Sequence, residues 1–146
     1  MTFTFSSHRK ALLGLAFVTL VALPGCKKDG DPEVDQIRLT VGTQTITITA
    51  AGAVTGAPIT VTHGTSVAVS AAFLKADGSA ETLVVGPTFR LDVTPAAASV
   101  TFTRTGDFAG TINGVTAGST TVGVALFHVV DGENHMGPFN VAVTVN

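Results

Sequence analysis

VGVALFHVVDGENHMGPFNVAVTV, residues 122–145, reads as two alternating apolar runs meeting across an Asp-Gly pair. Val122, Val124 and Leu126 alternate on the way in, and Phe139, Val141, Val143 and Val145 on the way out. A period of two marks a half-buried strand, and Asp-Gly between two such runs signals a two-residue hairpin of type I′. With Asp131-Gly132 as that turn, Val130 faces Glu133, His128 faces His135, Val124 faces Phe139 and Val122 faces Val141. The apolar columns then share one side, as a sheet lying on a core requires.

Working outward, the same period recurs. Phe89, Leu91 and Val93 alternate up to Pro95, and Val100 and Phe102 follow. Val67, Val69, Ala71 and Phe73 lead to an Asp77-Gly78 turn, and Ile59 with Val61 makes a short strand. Ile37, Leu39 and Val41 alternate, but beyond Gly42-Thr43 the apolar parity changes to Ile46 and Ile48. Side chains change face at every residue, so that change calls for a bulge or a turn near Gly42. No stretch beyond the leader carries apolar residues at helical spacing with caps. About seven to nine short strands with regular turn signals predict an all-β fold, an immunoglobulin-like β-sandwich over residues 35–146.

Gly110-Thr-Ile-Asn-Gly114-Val-Thr-Ala-Gly118-Ser-Thr-Thr-Val122 resembles the segment that leads into the penultimate strand of group 2 bacterial immunoglobulin-like domains. His63-Gly64-Thr65-Ser66-Val67, followed by Asp77-Gly78, is similar to the strand entry and turn of the same family. Together these cover residues 59–146, with Phe89 where the family often has Trp. The resemblance implies a structural or adhesive module whose motif glycines are scaffold. Gly114 and Gly118 are expected to supply positive φ at a tight corner.

The first residues carry an address. Arg9 and Lys10 precede an apolar run from Ala11 to Ala22, and Leu23-Pro24-Gly25-Cys26 follows. A bilayer-spanning helix needs about 20 apolar residues, so this shorter run reads as a cleaved signal peptide covering residues 1–25. Its end resembles the lipobox of bacterial lipoproteins, which implies an acylated Cys26 as the mature N-terminus and the membrane as a partner. Lys27 after the cysteine, in place of Asp, implies the outer membrane by analogy with enteric bacteria. Residues 26–34, polar and broken by Gly30 and Pro32, read as a flexible tether.

Composition narrows the chemistry. Loss of the leader leaves six basic residues against ten acidic ones, a net charge of −4 with no basic stripe, which argues against a nucleic-acid partner. The chain has no Trp or Tyr on which a sugar would stack. Cys26 is its one cysteine, so no internal disulfide is expected. There is no G-x-S-x-G elbow, phosphate-cradling loop or H-E-x-x-H. Asp77, Glu81, Asp92 and Asp107 are scattered, Asp77-Gly78 reads as a plain turn, and His63 as a solvent-exposed turn residue.

One constellation offers chemistry. Directly opposed strand residues have Cβ atoms about 4.5–5.5 Å apart, so His128 and His135 could share Zn²⁺ or Cu²⁺, with Glu133 or Asp131 adding an oxygen. The simpler account has both histidines capping the rim of the sandwich. The sequence therefore predicts a non-catalytic, lipid-anchored envelope protein that binds or spaces another envelope protein or a surface polymer, without a resident cofactor. The alternative is a periplasmic metal-binding protein using the His128/His135 hairpin.

Overall fold

Alternating burial organises the chain into strands throughout the computed structural model, which describes residues 31–146. The expected leader and Cys26 lie outside the described residues. The strands are β1 (Gln36–Val41), β2 (Gln44–Thr49), β3 (Val54–Thr55), β4 (Ile59–Val61), β5 (Ser66–Leu74), β6 (Phe89–Pro95), β7 (Val100–Gly106), β8 (Ala109–Gly114), β9 (Gly118–His128) and β10 (Glu133–Val145). A six-stranded sheet in the order β3-β2-β1-β5-β8-β7 packs on a four-stranded sheet in the order β4-β10-β9-β6. Within them, β1-β5-β8-β7 and β6-β9-β10 reproduce the A-B-E-D and C-F-G sheets of an immunoglobulin domain. The fold is an immunoglobulin-like β-sandwich.

The parity change after Val41 is a turn and not a bulge. Val41 pairs with Gln44, Leu39 with Ile46 and Ile37 with Ile48, so both apolar sets reach the same interior. Gly42 takes φ +58° while Thr43 does not take a positive φ, the pattern of a type II′ hairpin. The β1–β2 hairpin and β3 account for residues 36–55, which extend the first sheet beyond the usual first strand.

The core lies between the sheets. Ile37, Leu39, Ile46, Ile48 and Ile112 from one side meet Ile59, Leu91, Val122, Leu126 and Val141 from the other, all essentially shut off from water. Each such side chain contributes about 1.5–3 kcal/mol by leaving solvent, and with no disulfide among the described residues this packing holds the two sheets together.

Side chains lace both seams. At one, Gln44 spans the gap to β4: its amide Nε2 donates to the Pro58 carbonyl at 3.1 Å, and its Oε1 accepts the Thr60 N–H at 3.0 Å. At the other, Arg104 on β7 reaches Asp92 on β6 at 3.1 Å, and the Leu91 N–H donates to the Asp107 carbonyl at 2.7 Å. Sheet edges are the natural template for pairing with other chains, and here both seams are bridged from within.

Of the two motif glycines, only Gly118 has positive φ, at +140°. Gly114 is needed for close approach instead. A Cβ there would lie 2.9 Å from Val145 Cγ1 and 3.0 Å from the Thr62 carbonyl oxygen, where the chain leaves β8 for the other sheet.

Candidate functional site

One pole of the sandwich gathers the start of β1, the ends of β5 and β9, the start of β6 and the start of β10. The singled-out histidines and the entering N-terminal segment meet there.

The β9–β10 connection departs from the two-residue hairpin. His128 pairs with Glu133, leaving a four-residue loop, Val129–Gly132, closed by the Gly132 N–H on the His128 carbonyl at 3.0 Å. Two register shifts follow on β10, between Asn134 and Met136 and between Met136 and Phe139. They restore the expected pairs Val124 with Phe139 and Val122 with Val141. Gly137, at φ +93°, and Pro138, which has no N–H to give the ladder, explain the second shift. The Gly-Pro dipeptide inside an alternating run was the signal for it.

This displacement undoes the direct opposition of His128 and His135. His128 stacks on Phe89 with ring centroids 4.6 Å apart, and its Nδ1 lies 2.6 Å from Asp131 Oδ2. His135 sets its ring edgewise to Phe89 at 5.6 Å, and its Nε2 lies 2.9 Å from the Pro32 carbonyl oxygen. A carbonyl only accepts, so that nitrogen carries the proton. Asp131 is held by His128 and His135 by the lead-in, while Glu133 meets His128 as a backbone ladder pair, so the two imidazoles are engaged separately. Among the described residues no group of three or more His, Cys, Asp or Glu is placed to hold a metal ion.

A residue singled out only as one of several scattered acids organises this pole. Glu81 is buried, its Oε1 accepting the Leu83 N–H at 2.9 Å and its Oε2 the Glu33 N–H at 3.0 Å. Lys75 Nζ lies 3.9 Å away. The Leu83 amide above all, with the Glu33 amide and Lys75, holds this carboxyl below its usual range against the opposing effect of burial. Glu81 thereby joins the lead-in to the β5–β6 connection. Pro32 is buried, and the Asp35 N–H continues the attachment on the Leu74 carbonyl at 2.9 Å. The part of the expected tether that is described, residues 31–34, is thus fastened to the sandwich from Pro32 onward. A groove of about 630 Å³ separates it from β10, lined by residues including Asp31, Val34, Ala50, His135 and Phe139.

The other candidates take structural places. Asp77 Oδ1 accepts the Ser79 hydroxyl at 2.7 Å and the Ser79 N–H at 2.9 Å, closing the expected turn, and these two bonds, the hydroxyl first, lower its pKa. His63 is exposed and its Nε2 donates to the Val115 carbonyl at 3.0 Å.

Fold and pole together define an immunoglobulin-like domain whose described lead-in, residues 32–35, is fixed at one end. No family model and no curated protein matches the chain. Among solved structures it is similar to the S-layer protein SbsC domains 4 and 5, with a TM-score of 0.42 and 18% identity over 73% of this chain and 53% of that one. The chain therefore spans about half the length of that structure.

Proposed function

We propose that the chain is a non-catalytic, lipid-anchored envelope module of the group 2 bacterial immunoglobulin-like kind, held through Cys26 on the outer membrane and serving to bind or space another envelope component. The sequence around Cys26 supports the anchor. The observation that carries the display role is the fastening of Pro32 and Glu33 by His135 and Glu81 at one pole. A chain tethered there presents the opposite pole, with the Gly42 turn, the 62–65 turn and the 115–117 corner, away from its attachment. Those loops are the surface offered to a partner protein or polymer.

The test is fractionation of cells making the full chain, with mass analysis of the mature N-terminal peptide. The reading expects acylated Cys26 in the outer-membrane fraction and soluble protein from Cys26→Ser. Unmodified Cys26, or a Cys26→Ser variant that fractionates like the native chain, overturns it. Cross-linking from the 62–65 turn in the intact envelope then identifies the partner.

A further inference from the structure

The exposed large aliphatic side chains of the described residues are distributed unevenly. Leu83, Val85, Val129 and Val130 lie at the pole where the chain enters, and Val115 at the other. The first four belong to one rim: the Phe89 N–H donates to the Val85 carbonyl at 2.9 Å, and the Val129 N–H to the Thr88 carbonyl at 2.8 Å. Val130, at the tip, is 75% exposed. From Thr82 to Thr88 the connection carries no charge, and Glu81 just before it is turned inward. Aliphatic side chains clustered in water mark a surface that meets something apolar.

The leash says what that is. With Pro32 fastened, only residues 27–31 lie between it and Cys26, and the six steps from Cys26 to Pro32 can span at most roughly 20–22 Å at about 3.3–3.6 Å per residue. An acyl anchor on Cys26 would therefore keep this pole within that distance of the bilayer. Lys27 and Lys28, within the leash, suit anionic headgroups, and His128 lies against Asp131 at the tip. Val130 and the neighbouring aliphatics are then the first part of the domain to reach the interface.

We propose that Leu83, Val85, Val129 and Val130 form a membrane-contacting rim that seats this pole on the bilayer and fixes the domain's posture. The inference rests on the acylation of Cys26 proposed above. Aliphatic tips enter the headgroup–acyl boundary, as the apolar face of an interfacial helix does, while the short leash holds them there. The seated domain does not swing freely, and its far pole keeps one orientation to the surface.

The experiment uses the full acylated chain reconstituted in vesicles of phosphatidylethanolamine and phosphatidylglycerol. An environment-sensitive fluorophore is placed on Val130→Cys and, as a control at the far pole, on Val115→Cys. The mass of the N-terminal peptide is read on the same sample. Nitroxide-bearing lipid is expected to quench the label at 130 several-fold more than the label at 115. Acylated protein with equal quenching at the two sites overturns the seated posture and leaves the anchor standing. Absence of acylation overturns the anchor and the posture together. A label at 130 that is shielded from water but not quenched by nitroxide lipid assigns the rim to a protein partner and also overturns the proposal.

Discussion

The carboxylate of Glu81 receives the backbone N–H of Glu33 at 3.0 Å, across 48 positions of sequence, and so binds the incoming chain to the β5–β6 connection. Its other oxygen receives the Leu83 N–H. Both bonds favour the charged form, so the native pKa lies below the ordinary 4.5. A depressed carboxyl stabilises the fold above its unfolded pKa, and that contribution fades as pH falls through the native value. Thermal stability should therefore hold above about pH 4.5 and drop below it. Glu81→Gln should lower the Tm at neutral pH and flatten the acid limb, leaving the slope due to Asp77, whose pKa is lowered too. Melting curves from pH 7 to pH 3 check this; an unchanged acid limb in Glu81→Gln contradicts it.

Gly114→Ala places a methyl 3.0 Å from the Thr62 carbonyl, a backbone atom that cannot rotate aside. Overpacking of this kind costs about 1–3 kcal/mol. Urea unfolding should show that loss as a lower midpoint with an unchanged slope.

Ile46 is fully buried between the sheets, and Ile46→Ala should cost about 2–5 kcal/mol through lost burial and the cavity left behind. The Arg104–Asp92 pair is partly exposed, so Arg104→Met should cost no more than about 1 kcal/mol and still less in high salt. Denaturant titration at two ionic strengths separates the two cases.

His128 is engaged by Asp131 and His135 by the Pro32 carbonyl. Addition of Zn²⁺ or Cu²⁺ should leave the Tm of the folded chain unchanged. A saturable, metal-dependent rise that disappears in His128→Ala would restore the metal-binding reading.

Strand periodicity carried most of the fold, because burial on one face writes itself into every second residue. Ile37, Leu39 and Val41, and likewise Phe89, Leu91 and Val93, show it directly. The far half of the β9–β10 pairing was legible for the same reason. The near half was not, since Asp131-Gly132 also suits a four-residue loop in which Asp131 holds His128, and the resulting offset is taken up in two steps, one between Asn134 and Met136 and one at Gly137-Pro138. Glu81 was illegible as an organiser because its partners are backbone amides, which every residue but proline possesses. Gly114 was read for its torsional freedom, whereas its necessity comes from β-strands of the opposite sheet that local sequence does not name.

β1 leaves the entry pole along the strand axis, and β10 runs along the same axis to the opposite pole, where Asn146 receives the His63 N–H. Tension applied between these two ends would act along both strands. Ladder bonds between antiparallel strands lie across the strand direction, so the bonds from β1 to β2 and β5, and from β10 to β9, would resist in shear and all at once. A domain threaded this way is suited to staying folded while it is pulled.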